Sequence, residues 1–177
     1  MDWREYMENY RLIEPCGSFE KEFERMANDF KEHGELDYPK YYYGNFDEFL
    51  NEIKILKSGI NLPEGYVATV TYWMVNSNNE ILGSIRYREK LNEDTKINGG
   101  HIGYDISPSK RKLGYGKIML KLLLEKLKEE KVSNILLTVV QDNLASIKII
   151  ESNGGVLRDT VFSSSSKEYM KRYWICL

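Results

Sequence analysis

The chain has 177 residues, 42% of them hydrophobic and 29% charged, with a net charge of −2 and a pI near 5.8. That is enough chain to bury a core as one domain, residues 1–177, and the composition excludes disorder as the default state. Lysine and arginine are scattered rather than clustered, which argues against a nucleic-acid partner. Cys16 and Cys176 have neither metal-ligand nor disulfide-framework spacing, so no metal site is expected and both are read as free thiols. Met1 to Glu5 lacks an apolar run behind a basic start, and the strongest apolar run, Ile135 to Val140, is too short to cross a bilayer. The expectation is a cytoplasmic protein with no membrane partner.

Residues 1–60 read as helix and loop. Phe19, Phe23, Met26, Ala27 and Phe30 recur at helical steps, with Ser18 as the expected cap and Gly34 as the stop. Phe46, Phe49, Leu50, Ile53 and Leu56 make a second apolar helix face between Asn45 and Gly59. An aromatic loop, 38–43, lies between the two. Tyr66 to Val75 is rich in Val, Thr and Tyr and predicts a strand. Asn76 to Asn79 is turn chemistry, and Ile81 to Arg88 the returning strand. A polar loop follows at 92–100.

Ile102 to Ile106 predicts a short strand ended by Ser107-Pro108. A helix from about Gly114 to Glu130 carries one polar stripe, Lys117, Lys121, Glu125 and Lys128, on an otherwise apolar surface. Ile135 to Val140 reads as a strand buried on both faces, and strand, helix, strand predicts a parallel crossover pair. A helix over 143–153 buries Ala145, Ile147, Ile149 and Ile150. Two last strands, 156–162 and 169–177, are joined by the turn Ser163–Ser166.

The segment between the first crossover strand and its helix is Arg111-Lys-Leu-Gly-Tyr-Gly116. The first N–H groups of a helix lack internal partners and carry partial positive charge. Gly114 and Gly116 let a ligand approach the backbone, and Lys110, Arg111, Lys112 and Lys117 add charge. These features predict a site for a phosphate-bearing ligand. A P-loop fails, because Arg111 stands where its first glycine belongs and Ile118 where Ser or Thr belongs. A dinucleotide fingerprint fails at Met119.

The pattern Arg111-x-x-Gly114-x-Gly116 resembles the signature of the GNAT superfamily of N-acetyltransferases. Ile106-Ser-Pro108 before it and Asn143-x-x-Ser146 with Glu151-x-x-Gly154 after it resemble that family's arrangement across 100–155. Gly99-Gly-His-Ile-Gly-Tyr104 is similar to a subgroup known mostly as predicted acetyltransferases. The resemblance implies a mixed α+β, GNAT-like acyl-CoA N-acyltransferase fold, with a central, mostly antiparallel mixed sheet flanked by helices. It also implies acetyl-CoA as cofactor. Arg111, Lys112, Leu113, Gly114, Tyr115, Gly116 and Lys117 would then take the pyrophosphate, the strand at Ile106 the pantetheine arm, and Asn143 with Ser146 the cofactor from the second helix.

Acetyl transfer needs a neutral amine, a donor for the thioester oxygen and a proton for the leaving thiolate. Many relatives supply that proton from a tyrosine where this chain has Ile150. The expected catalytic candidates are therefore Tyr104 and His101, with Tyr115, Tyr169 and Tyr173 further off. Tyr104 also alternates with Ile102 and Ile106, which is a packing pattern, and His101 also reads as a surface histidine. Carboxylates on the first helix would favour a cationic amine, although Lys21, Arg25 and Lys31 are interleaved with them. The expected acceptor is a small-molecule amine. The rival readings are a non-catalytic acyl-CoA sensor and an enzyme acting on charged tRNA. The last strand, if exposed, offers an edge for a homodimer.

Overall fold

The computed structural model describes residues 9–35 and 45–177; the aromatic loop and the first five residues lie outside that range. The elements in chain order are β1 (Tyr10–Ile13), α1 (Glu20–Glu32), α2 (Phe46–Ser58), β2 (Val70–Asn76), β3 (Ile81–Tyr87), β4 (Ile102–Ile106), α3 (Tyr115–Glu129), β5 (Asn134–Val140), α4 (Leu144–Ser152), β6 (Val156–Ser163) and β7 (Glu168–Cys176). The mixed α+β class expected from the sequence is what the chain adopts.

The strands form two antiparallel sheets, ordered β1-β2-β3-β4 and β5-β7-β6. Register pairs Trp73 with Ser84 and then Ser84 with Asp105, and Thr71 with Arg86 and then Arg86 with Gly103. Paired residues share a face of the sheet. The Trp73 face meets α1 and α2, where Phe23 and Phe49 stack on the Trp73 ring. The opposite face, with Met74, Ile85 and Ile102, packs on α3 through Met119, Leu120 and Leu123, in one core with Ile135, Leu137 and Tyr173 of the second sheet. Leu123 is fully buried, so its truncation to alanine costs about 2–5 kcal/mol.

Local signals explain most boundaries. Asn45 caps α2 by accepting from the N–H groups of Asp47 and Glu48 at 3.1 and 3.3 Å, and Gly59 ends it in a left-handed conformation. Ser18 does not cap α1; it lies in a 3-10 turn, Gly17–Phe19, that leads into the helix. β1 falls where only helix and loop were expected, because four residues carry too little alternation to be read. The strand predicted from Tyr66 begins at Val70. In α4 the buried residues are Ile147 and Ile150, while Ala145 is exposed.

Two larger expectations are corrected. β4 and β5 do not pair as parallel neighbours; they are edges of different sheets. β7 lies between β5 and β6 rather than at an edge, so the outer strand of the second sheet is β6. The lone polar residue of Ile135–Val140, Thr138, gave no sign of the first difference, since a strand flanking a cleft is as apolar as one paired on both sides.

Candidate active site

β4 and β5 touch at one end and part from there. The His101 N–H donates to the Leu136 carbonyl at 2.8 Å, and the Leu136 N–H donates to His101 Nδ1 at 2.9 Å. The Gly99 N–H donates to Thr138 Oγ1 at 2.7 Å. Gly100, at φ +60°, lies so close that a Cβ would sit 2.6 Å from the Leu136 carbonyl oxygen, so only glycine fits there. Beyond this joint a cleft of about 270 Å³ opens, lined by Gly103, Tyr104, Thr138, Asn143, Ser146 and Ile150 among others.

The β4 edge turns hydrogen-bonding groups toward this cleft. The Ser107 N–H donates to the Leu82 carbonyl, and the Arg88 N–H to the His101 carbonyl. Antiparallel alternation therefore aims the odd-numbered residues of β4 at β3, and leaves the main chains of Ile102, Tyr104 and Ile106 on the cleft side. The Ile106 carbonyl, accepting from Arg111 Nε at 3.1 Å, agrees.

The loop after β4 ends in Gly114, which caps α3 at φ +86° with open space around it. The amides of Lys112, Leu113, Gly114, Tyr115 and Gly116 donate to no acceptor among the described residues. Five consecutive donors at a helix start fit a pyrophosphate. Gly116 packs on Ile149 of α4, so the start of α3 lies against the body of α4. Asn143 accepts from the Ser146 N–H at 3.0 Å, and the Ser146 carbonyl accepts from the Tyr104 hydroxyl at 3.3 Å.

The charges around the loop differ from expectation. Lys110 pairs with Glu80 at 2.8 Å. Arg111 forms a two-pronged pair with Glu35, its second contact at 2.9 Å, and its guanidinium lies over the Phe30 ring. Asp29 of α1 accepts from the Ser107 hydroxyl and, at 3.0 and 2.9 Å, from the N–H and hydroxyl of Ser109. Burial pushes the Asp29 carboxyl up, but these hydrogen bonds outweigh it and hold the group below its ordinary value. Asp29 of α1 and Glu35 just beyond it thus hold the loop in place. No spacing rule links Asp29 to Ser109, so no local pattern announces this clamp.

The catalytic candidates separate. Tyr104 lines the cleft, and burial pushes its hydroxyl pKa up to about 12. His101 sits at the joint, its Nδ1 already engaged; burial and then the Arg88 charge push its pKa down. Tyr115 packs against Tyr10, Tyr169 is exposed beside Phe162, and Tyr173 is buried with its hydroxyl donating to Glu151 at 3.1 Å. Ile150 lines the cleft without a polar atom to offer. No group of metal-ligating side chains occurs among the described residues.

A second cavity of about 510 Å³ lies across β4, between α2 and the first sheet. Arg86, Arg88 and Asp105 line it beside Phe49, Ile53 and Leu56, and Arg86 lines the cleft as well. The sequence reading passed over these three. The signal was there in part, since Arg86 and Arg88, the latter just past the end of β3, stand two apart and so share one face of an otherwise buried strand.

A cleft between two parting strand edges, with an amide cradle at a helix start beside it, is the architecture of an acyl-CoA-dependent transferase. Residues 21–154 match the model of the Acetyltransferase (GNAT) family, and the chain belongs to that family; it is an N-acetyltransferase. No curated protein sequence matches the chain. Among solved structures, the ribosomal L7/L12 alpha-N-protein acetyltransferase RimL in complex with coenzyme A is 16% identical with a TM-score of 0.69, over 96% of this chain and 94% of that one. The microcin C7 self-immunity acetyltransferase MccE in complex with acetyl-CoA and AMP is 12% identical with a TM-score of 0.68, over 96% and 93%. Spermidine N-acetyltransferase from Vibrio cholerae in complex with CoA and spermine is 16% identical with a TM-score of 0.63, over 96% of each chain.

Proposed function

We propose that this protein transfers the acetyl group of acetyl-CoA to a primary amine of a small molecule, within one domain spanning 1–177 and in the cytoplasm. The observation that carries the reading is the run of five amides, Lys112 to Gly116, that have no acceptor among the described residues and lie beside the cleft. These amides, with Lys117 following, hold the pyrophosphate. The cleft-side main chain of Tyr104 and Ile106 pairs with the amide groups of the pantetheine arm as an added strand would. Asn143 and Ser146 flank the arm from α4.

The amine enters from the cavity across β4, at the seam that Arg86 lines on both sides. Its nitrogen lone pair attacks the thioester carbonyl, the carbon–sulfur bond breaks, and the amine proton leaves to solvent while the thiolate gains one. A cleft-side N–H of β4 meets the charge growing on the carbonyl oxygen. Holding amine and thioester together supplies much of the rate. His101 holds the joint between the sheets, and the Tyr104 hydroxyl fixes α4 to β4. Free Coulomb attraction for nucleic acid is lacking at a net charge of −2. A homodimer, if one forms, uses the β6 edge, which exposes Val156, Leu157 and Phe162.

The test is calorimetric titration of acetyl-CoA into the wild type and into Gly114→Trp. Saturable binding in the first and its loss in the second, with the fold retained by circular dichroism, supports the site. Absence of binding at millimolar acetyl-CoA in a folded protein removes the cofactor site and the transfer reading together.

A further inference from the structure

Arg86, Arg88, Asp105 and Glu52 all line the cavity between α2 and the first sheet, and among these described residues Arg88 is the arginine that no carboxylate pairs. Arg86 pairs with Asp105, and Asp105 lines the cavity beside it. Arg88 is partly buried, and its one hydrogen bond among the described residues is from Nη1 to the Gly100 carbonyl at 3.3 Å. No carboxylate of a described residue lies within ion-pair distance of it, whereas Arg86 next to it has one. The two guanidinium groups converge on Gly103: a Cβ built there would lie 3.7 Å from Arg86 Nη2 and 3.8 Å from Arg88 Nη1. Burial, and then the Arg86 charge, pushes the Arg88 pKa down. An arginine side chain nevertheless keeps its proton, and four of its five donors remain for a ligand.

Buried or half-buried cations are paired, because desolvation otherwise makes them costly. The missing partner of Arg88 is therefore an anion brought by the substrate. This deepens the acetyl-transfer reading and rests on it. We infer that the acceptor is an aminocarboxylate with an apolar body, its carboxylate bound by Arg88 and its amine directed past Gly103 into the cleft.

Charge balance favours a carboxylate over a phosphate. With Arg86 paired to Asp105, the single guanidinium of Arg88 matches one carboxylate, whereas a doubly charged phosphate exceeds it and adds repulsion from Glu52 on the same lining. The forked guanidinium also suits the two oxygens of a carboxylate. The rest of the lining, Phe49, Ile53, Leu56 and Val67, suits a hydrocarbon side chain, and a volume of about 510 Å³ admits a small ligand. A polyamine would leave Arg88 without an anion and bring further cations beside it, which disfavours it.

The experiment compares acceptors in sets, with CoA thiol release as readout. L-leucine is set against 3-methylbutylamine and L-leucinamide, and L-phenylalanine against 2-phenylethylamine; spermidine is the polycationic control. Leucinamide keeps the skeleton and has the more acidic ammonium, so it separates carboxylate recognition from amine basicity. In the wild type the carboxylate-bearing member of each set is expected to have a kcat/KM about 100-fold higher. In Arg88→Met the preference falls to within about threefold, and Arg88→Lys restores part of it. Acetyl-CoA affinity, measured by calorimetry, stays within about twofold in both variants and serves as their folding check.

Carboxylate-free amines used as well as their partners by the wild type overturn the proposal, and that comparison needs no variant. So does a preference that survives in Arg88→Met. Spermidine as the best acceptor overturns it too, as does failure to acetylate any carboxylate-bearing acceptor while acetyl-CoA still binds; both leave acetyl-CoA binding standing. Failure to bind acetyl-CoA at all removes the transfer reading beneath the proposal as well.

Discussion

Arg111 points its guanidinium at Glu35 in a two-pronged ion pair and gives its Nε–H to the Ile106 carbonyl, so it ties the end of β4 to the residue just beyond α1. It acts on the cofactor loop by holding its shape. The pair is part-exposed, 42% for Arg111 and 35% for Glu35, so its own worth is at most about 1 kcal/mol. Glu35→Gln is therefore expected to weaken acetyl-CoA binding by no more than about fivefold. Arg111→Ala also abandons the Ile106 carbonyl and is expected to weaken binding about 10- to 30-fold. Calorimetry decides between this and direct contact. If Glu35→Gln binds as tightly as wild type or tighter while Arg111→Ala loses binding, the guanidinium serves the ligand itself.

Gly116 and Ile149 are matched in size. A Cβ on Gly116 would lie 2.5 Å from Ile149 Cδ1 and 3.4 Å from its Cγ1. The first atom is the end of a flexible side chain, so the neighbour can move at moderate cost. Gly116→Ala is expected to lower stability by about 1 kcal/mol, against the helix preference of alanine. Ile149→Val removes the clashing methyl, so the double variant should recover most of the loss. Urea denaturation of the four proteins measures the coupling, expected at about 0.5 kcal/mol or more. Additive effects would mean that the loop and α4 shift apart without cost.

How much of this was legible follows from the range of the interactions. Local patterns announced α2, with Asn45 and Gly59 at its ends, and the Gly114–Gly116 start of α3. The hairpin turn at Ser163–Ser166 was equally local. β1 was missed because Tyr10–Ile13 is too short to show a period. The separation of β4 from β5 was missed because it is decided at Gly100 and His101, by contacts with Leu136 far along the chain. Asp29 and Glu35 were legible only as acids of the first helix, and Arg86 and Arg88 had no assigned role, for the same reason: each acts on a partner that only the fold brings near. The site was thus readable where it consists of backbone at a helix start, and hidden where it consists of side chains from separate elements.

Tyr104 is expected to contribute little as an acid. Its hydroxyl is pushed up to about 12 by burial, whereas a thiol titrates near about 8.5. Passing its proton to a thiolate would run uphill by roughly three powers of ten. Tyr104→Phe should therefore lower kcat by less than about tenfold, through loss of the bond to the Ser146 carbonyl, and leave the shape of the pH–rate profile unchanged below pH ~10. A fall of more than about 100-fold, or the loss in the variant of an alkaline limb that the wild type shows, would put the phenol in the proton path.

Acid should loosen the structure in two steps, at opposite ends of β4. His101 is held below its ordinary 6.5 by burial and by the Arg88 charge, so the unfolded chain takes up its proton first. Its stabilisation is full above pH 6.5 and is lost as pH falls below that value. Asp29 is held below its ordinary 3.8, where burial opposes and the Ser107 and Ser109 hydrogen bonds prevail. Glu35 is held below 4.5, chiefly by its hydrogen bonds from Arg111. Their stabilisation is full above those ordinary values and is lost as pH falls toward the folded ones. The urea midpoint should then decline mildly from pH 7 to 5 and more steeply below about pH 4. His101→Gln should flatten the first decline and Asp29→Asn the second, each without altering the other. If Asp29→Asn leaves the lower decline unchanged, the carboxylate does not fasten the loop to α1 in solution. If His101→Gln leaves the upper decline unchanged, the imidazole is not held neutral at the joint.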